Sequence, residues 1–249
     1  KNNKMKLAIM QPTFNPWIGY FDLIDSVDKI IFLDTVQLSQ QSWQTRNKLK
    51  VQEKEFMFSI PIQKNKSKKD LLIKDVLINF GQFDFRKKLV KTLDQNYKKS
   101  RFYDEVNNFI QSIILHEAMH LSSYNINIIK EICVKLNFNT EIIVLSDTKF
   151  ITDSLKGEQV LNICRFFNAT DYMSPLGSKN YLDAIINEFK KNNISVTYQH
   201  YQHPIYQQLG VNFLPYIGIF DLLYNEGFVN SSMIIKSGRV HNKYMKSKV

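Results

Sequence analysis

The sequence predicts an α/β fold, and three observations carry that prediction. Two short apolar runs, Lys6 to Met10 (KLAIM) and Lys29 to Leu33 (KIIFL), enclose a segment whose apolar residues recur at helical spacing. Strand-like runs return at Glu141 to Leu145, Tyr172 to Ser174 and Ile194 to Gln199, with helical stretches between them. Between the two strand sets, Phe83 to about Leu136 carries three-to-four spacing of apolar residues. Apolar strands alternating with helices imply a mainly parallel, Rossmann-like sheet with a helical insert at about residues 83–136. No Gly/Ser linker or low-complexity tract breaks the chain, so residues 1–249 read as one domain.

Each element has a local reason. KLAIM is followed by Gln11-Pro12-Thr13-Phe14-Asn15-Pro16, whose prolines stop the strand and delay a helix to about Trp17. Ile18, Phe21, Leu23, Ile24 and Val27 form the apolar face of that helix, and KIIFL then ends at Asp34. Phe56 to Ile60 reads as a strand ending before Pro61, and the QKNKSKKD stretch after it as an exposed loop. Helices are expected over Phe83 to Tyr97, Asp104 to Leu121 and Ile126 to Leu136. Ser154 is the expected cap of a helix through Phe167, with Gly157 in its first turn. Tyr181 to Lys191 and Leu214 to Glu226 are the remaining predicted helices.

One internal echo is present. Phe14-Asn-Pro-Trp-Ile-Gly-Tyr-Phe-Asp-Leu-Ile24 returns as Phe213-Leu-Pro-Tyr-Ile-Gly-Ile-Phe-Asp-Leu-Leu223, identical at Phe, Pro, Ile, Gly, Phe, Asp and Leu. The rest of the chain shows no matching repeat, which excludes a solenoid. Two readings are open: equivalent loop-to-helix segments bordering one cleft, with Gly19 and Gly218 letting a ligand approach backbone, or one packing solution used twice.

Composition bounds the function classes. With 44% hydrophobic and 22% charged residues, the chain falls with globular proteins. It has no run of about 18 apolar residues, and the start Lys1 to Lys6 leads into a strand and not a signal peptide, so a cytoplasmic protein without a membrane span is expected. Cys133 and Cys164 sit in apolar-periodic segments and read as buried free thiols. A net charge of +10 attracts phosphate-bearing partners without saying which. The basic clusters (Lys64 to Lys69, Arg86 to Lys91, Lys98 to Arg101, and the tail from Lys236 to Lys248) lack the aromatic interleaving of a single-strand binding groove.

Standard phosphate cradles are absent: there is neither Gly-x-Gly-x-x-Gly nor Gly-x-x-x-x-Gly-Lys-Ser/Thr. The helix start after Pro16 is a substitute anion holder. Thr13 to Tyr20 also resembles the strand-loop-helix signature of nucleotidylyltransferases, but Trp17 and Tyr20 stand where that signature has histidines, which removes the groups that steady a transferring phosphate. His116-Glu117-Ala118-Met119-His120 is a literal His-Glu-x-x-His on a predicted helix. The metzincin continuation is missing, and no metal or cofactor is expected.

Two stretches suit a polar ligand. Trp43-Gln44-Thr45-Arg46-Asn47 follows the second strand, where Trp43 could stack, Arg46 pair with phosphate and Asn47 hydrogen-bond a base or sugar; a core Trp43 and a surface ion pair for Arg46 are the alternative. His200-Tyr-Gln-His203-Pro-Ile-Tyr206-Gln-Gln208 offers donors and acceptors at neutral pH, with His203 the general-base candidate.

These residues carry a resemblance. KLAIMQPTFNPWIGYFDLI, VDKIIFLDTVQ with SWQTRNKL, YMSP with Gly177 and Tyr181, and HPIYQQLGVNFLPYIGIFDLLYNEG together resemble the WbqC-like family, from Lys6 to about Gly227. Members are found among bacterial genes for O-antigen and other surface polysaccharides. The resemblance implies modification of a sugar nucleotide: transfer of an acyl or aminoacyl group, glycyl among the candidates, to the amine of a nucleotide-linked amino sugar. Expected catalytic residues are His203, Asn47 and Asp34; expected substrate-binding residues are Gln11, Tyr20, Gln37, Trp43, Arg46, Tyr206, Gln208 and Asp221. The donor would be an acyl carrier or an aminoacyl-tRNA, and homo-oligomerisation is left open. The competing expectations are a nucleotidylyltransferase-like enzyme and a non-catalytic sugar-nucleotide-binding protein.

Overall fold

A computed structural model describes residues 4–40, 42–63, 71–81 and 83–240. In chain order the elements are β1 (Lys6–Met10), α1 (Ile18–Asp25), β2 (Lys29–Phe32), β3 (Arg46–Val51), β4 (Lys54–Ser59), α2 (Phe85–Tyr97), α3 (Tyr103–Leu115) and α4 (Leu121–Lys135). There follow β5 (Glu141–Val144), α5 (Lys156–Phe166), β6 (Asp171–Ser174), α6 (Lys179–Asp183), α7 (Ile186–Lys191), β7 (Ser195–Tyr198) and α8 (Ile219–Ser237). Five strands form an all-parallel sheet in the order β5-β2-β1-β6-β7. This is the Rossmann-like α/β architecture the sequence predicts.

The period of a strand explains why the runs are apolar throughout. Ala8, Ile30 and Phe32 face one side, packing with residues of α1, α4 and α8, while Leu7, Ile9 and Ile31 face the other, packing with α5 and Phe189 of α7. Neighbours of β1 run to opposite ends of the sheet, β2 and β5 on one side and β6 and β7 on the other. The reversal of strand order therefore falls between β1 and β6, and the crevice at their carboxyl ends is where such sheets hold ligands.

The structure corrects several local expectations. Arg46 and Asn47 lie in a strand that the sequence pattern does not announce: β3 pairs antiparallel with β4 through a tight turn at Gln52 and Glu53, both with positive φ. The His-Glu-x-x-His segment is not helical. His116 ends α3 and His120 precedes α4, because Ile78 N–H donates to Met119 O and Leu121 N–H to Val76 O, which pulls the segment into a bridge with residues 76–78. Ser154 caps no helix: Lys156 has φ 52°, α5 begins there, and Ser154 Oγ instead accepts from Asn162 Nδ2 at 3.1 Å. The Tyr181 to Lys191 helix is two short helices, α6 and α7. The last helix runs from Ile219 to Ser237, bent at Gly227 (φ 68°), where a Cβ would come within 2.7 Å of Phe102. The expected loop at Lys64 to Asp70 and the tail lysines beyond Val240 lie outside the described residues.

The echo segments lie against each other. Trp17 and Gly218 form an antiparallel bridge, Ile219 N–H donates to Pro16 O at 2.8 Å, and the turns open α1 and α8 side by side. Their glycines serve packing and not ligand approach. A Cβ on Gly19 would sit 2.1 Å from the Trp17 ring, and one on Gly218 would sit 2.0 Å from the Asn15 side chain. Asn15 itself accepts from Phe220 N–H at 3.2 Å, so each segment clamps the other.

Candidate functional site

β2 delivers Asp34 to the carboxyl edge of the sheet, and β5 delivers Ser146 beside it. Asp34 is 2% exposed, so its carboxylate depends on protein donors: Ser146 N–H at 3.1 Å, Ser146 Oγ at 2.5 Å and Ser122 Oγ at 3.4 Å. Lys74 N–H donates to Asp34 O at 2.8 Å, which sets the lysine next to it. These residues line a cleft of about 520 Å³, completed by His120, Asn127 and Lys130. Ser122, Ser123, Ile126, Asn127 and Lys130 follow one face of α4 at helical spacing, so a single helix contributes that wall. The first turn of α4 adds its positive dipole end to Lys74 and Lys130. The cleft thus pairs cations suited to a phosphate with a fixed carboxylate that accepts hydrogen bonds.

Of the residues singled out from sequence, Asp34 lines this cleft. Gln11, Tyr20, Trp43 and Asn47 instead build the seam that holds the loop after β1. Gln44 Nε2 donates to Gln11 Oε1 at 3.0 Å, Tyr20 OH to Gln11 O at 2.8 Å, and Phe14 N–H to Trp43 O at 3.0 Å. Asn47 Nδ2 donates to Phe14 O at 2.8 Å and its Oδ1 accepts from Lys48 N–H at 2.8 Å, so both ends of the amide are engaged. Asn125 of α4 donates to Pro12 O and Gln44 O, tying the seam to the helix that walls the cleft. Trp43 is 48% exposed, Arg46 stands at the start of β3, and Gln37 lies on an exposed bridge with Leu72.

The His203 region forms a separate assembly. His203 Nδ1 lies 2.8 Å from Pro204 O and Nε2 accepts Tyr216 N–H at 3.1 Å, which fixes a neutral imidazole protonated on Nδ1. Burial holds its pKa below the usual imidazole range. The ring packs on Trp17, Phe213 and Tyr216. Behind it, Asp221 is fully buried and accepts from Tyr97 OH and Tyr206 OH, each at 2.7 Å, and from Gln208 Nε2 at 2.9 Å. Gln208 also brackets Leu214 through both its N–H and its C=O. Lys50 Nζ, 5% exposed, caps this network by donating to Leu209 O and Asn212 O. These groups hold the 203–216 loop onto the hairpin and α8.

Sequence reasoning missed Lys74, Ser122, Lys130 and Ser146. Ser146 was within reach, since it follows the Glu141 to Leu145 strand and ligands gather at strand ends. His120 was noticed for a motif, but it serves the cleft wall, away from His116, whose ring stacks on Tyr124. Among the described residues no group of three His, Cys, Asp or Glu could hold a metal ion. Cys133 and Cys164 are buried free thiols in different core clusters, and burial pushes Cys133 up to about 12 and Cys164 higher.

Fold and cleft define a doubly wound α/β protein with a charged cleft at the carboxyl edge of its sheet. The WbqC-like protein family model matches residues 11–232, and the chain belongs to that family. It is similar to the uncharacterized protein Rv1507c of Mycobacterium tuberculosis, 32% identical over 224 residues that span 89% of this chain and 94% of that protein. No solved structure matches the chain. No helix among the described residues is long and apolar enough to cross a membrane.

Proposed function

We propose that the protein is a sugar-nucleotide-modifying transferase of bacterial surface polysaccharide (O-antigen) synthesis. In this reading it moves an acyl or aminoacyl group, glycyl among the candidates, onto the amine of a nucleotide-linked amino sugar. The observation that carries the proposal is the placing of the Asp34 carboxylate in one cleft with Lys74 and Lys130. The two ammonium groups and the start of α4 suit a diphosphate, and a volume near 520 Å³ falls in the range of small-molecule sites. Asp34 then faces the sugar. It takes a proton from the amine as the nitrogen bonds to the donor's carbonyl carbon, and that proton passes to the donor oxygen or sulfur when its bond to the acyl group breaks. This assigns the base to Asp34, which lines the cleft, and not to His203, which lies outside it, and leaves Asn47 with a structural part.

The test is incubation with amino-sugar nucleotides and acyl or aminoacyl donors, followed by product mass. An acyl increment on the sugar nucleotide supports transfer. Pyrophosphate release would replace it with nucleotidyl transfer, and binding without product would leave a sugar-nucleotide-binding protein.

A further inference from the structure

A second cleft, of about 470 Å³, opens on the other side of the β1–α1 loop. It lies at the carboxyl ends of β6 and β7 and is closed by Trp17, which precedes α1. Its position is the reversal of strand order between β1 and β6, where the chains leaving two neighbouring strands diverge. Its chemistry is the opposite of the Asp34 cleft. Pro175, Leu176, Trp17 and Tyr201 supply apolar and aromatic walls, Gln199 and Gln202 supply amides and His200 an imidazole, and no Lys, Arg, Asp or Glu among the described residues lines it. The Gln199 amide is oriented: Nε2 donates to Gly19 O and to Asp22 Oδ2, each at 2.8 Å, so Oε1 is the end left for a ligand. Gly177 lines the cleft, and an added Cβ there would meet nothing within 4 Å.

We infer that this second cleft binds the nucleoside end of a substrate, by contact of an uncharged, planar heteroaromatic base with the Trp17 and Tyr201 walls and hydrogen bonding of its edge to the glutamine amides. Aromatic side chains beside primary amides match a base, which has an apolar face and a rim of donors and acceptors. Phosphates fit the Lys74 and Lys130 cleft better, since two ammonium groups line it. The inference stands on the cleft's own chemistry and rests on the transferase reading only for the substrate that brings the base. That base is either the sugar nucleotide's own or the terminal adenosine of the donor.

The chain has two tryptophans, Trp17 and Trp43, so Trp43→Phe leaves Trp17 as the sole indole reporter. Adenosine and uridine are titrated into Trp43→Phe protein while Trp17 fluorescence is followed. Saturable quenching is expected, with adenosine preferred if the donor's base binds there and uridine preferred if a uridine sugar nucleotide's does. Gly177→Leu in the same background puts a side chain into open space without a clash, so it should retain the parent thermal midpoint while weakening nucleoside binding at least tenfold. Lys130→Ala should leave nucleoside quenching intact and weaken inorganic pyrophosphate binding, which keeps failure at this cleft separate from failure at the Asp34 cleft. Absence of saturable quenching by either nucleoside, or equal binding by the folded Gly177→Leu protein, would overturn the inference.

Discussion

Asp22 and Asp221 occupy the same position in the two echo segments, and both carboxyls are removed from water, yet they are held by opposite means. Asp22 Oδ1 accepts from the Arg239 guanidinium at 2.9 Å, with Gln199 on its other oxygen, whereas Asp221 accepts from the neutral donors Tyr97, Tyr206 and Gln208. One aspartate therefore ties α1 to the end of α8 by charge, and the other ties α8 to α2 and the 203–216 loop by hydrogen bonds. The repeat is a packing device used twice, with different partners at its acidic position.

Burial raises the Asp221 pKa above the ordinary carboxyl value in spite of its donors. The folded state then binds this proton more tightly than the unfolded chain, so its contribution to stability is greatest below about pH 4 and declines as pH rises through the raised value. Asp221→Asn should flatten that decline in urea unfolding measured across pH 4 to 7. Asp221→Ala, which strands three buried donors, should cost about 3 kcal/mol or more. Equal pH profiles for parent and Asp221→Asn would contradict the assignment.

His203 gives the opposite sign. Its folded pKa is depressed, so its contribution is present above about 6.5, the unfolded value, and is lost as pH falls through the folded value. Protonation removes the acceptor for Tyr216 N–H, whose residue holds a positive φ of 60°. Exchange of the Tyr216 amide, corrected for intrinsic rate, should accelerate as pH falls through the depressed His203 value. In His203→Gln product formation should persist; complete loss of turnover in a folded His203→Gln protein would return the base to His203.

The echo glycines should be intolerant of a side chain. Gly218→Ala drives a methyl into Asn15 and its backbone oxygen, and should cost about 2–3 kcal/mol by thermal or chemical unfolding. Gly177→Ala should change stability by less than about 0.5 kcal/mol, since nothing opposes it. Equal costs at both positions would contradict the packing described between the two segments.

Asp84 caps α2, accepting from Arg86 N–H at 3.0 Å, and its carboxyl is held below the ordinary range by hydrogen bonds from the Arg86 side chain. Asp84→Ala should cost about 1–2 kcal/mol at pH 7, with the difference from the parent shrinking as acid protonates the cap. A constant difference down to pH 2 would show that charge has no share in it.

The sheet was legible because strands buried on both faces leave an unbroken apolar trace, as KLAIM and KIIFL do. β3 was not: Arg46-Asn-Lys-Leu-Lys-Val interleaves charge, Lys50 is buried only because distant carbonyls receive its ammonium, and the Gln52-Glu53 turn carries none of the usual Asn-Gly signal. Asp34 was legible as the residue ending a strand. Lys74 and Lys130 were not, since a backbone bond to Asp34 and one face of α4 bring them together only in three dimensions. His203 and Asp221 drew notice as chemistry, but their partners, Tyr216 N–H and the Tyr97 hydroxyl, are tertiary contacts invisible in a local window.

The most direct measurement is the rate of acyl or aminoacyl transfer to an amino-sugar nucleotide by Asp34→Asn beside the parent, read as product mass against time. Asparagine keeps the shape of the side chain and loses the basic oxygen, so the rate should fall by about 100-fold or more while calorimetric affinity for the sugar nucleotide changes only a few-fold. Transfer by Asp34→Asn at the parent rate, or no acyl increment from the parent with any amino-sugar nucleotide and donor, would contradict the assignment of the cleft.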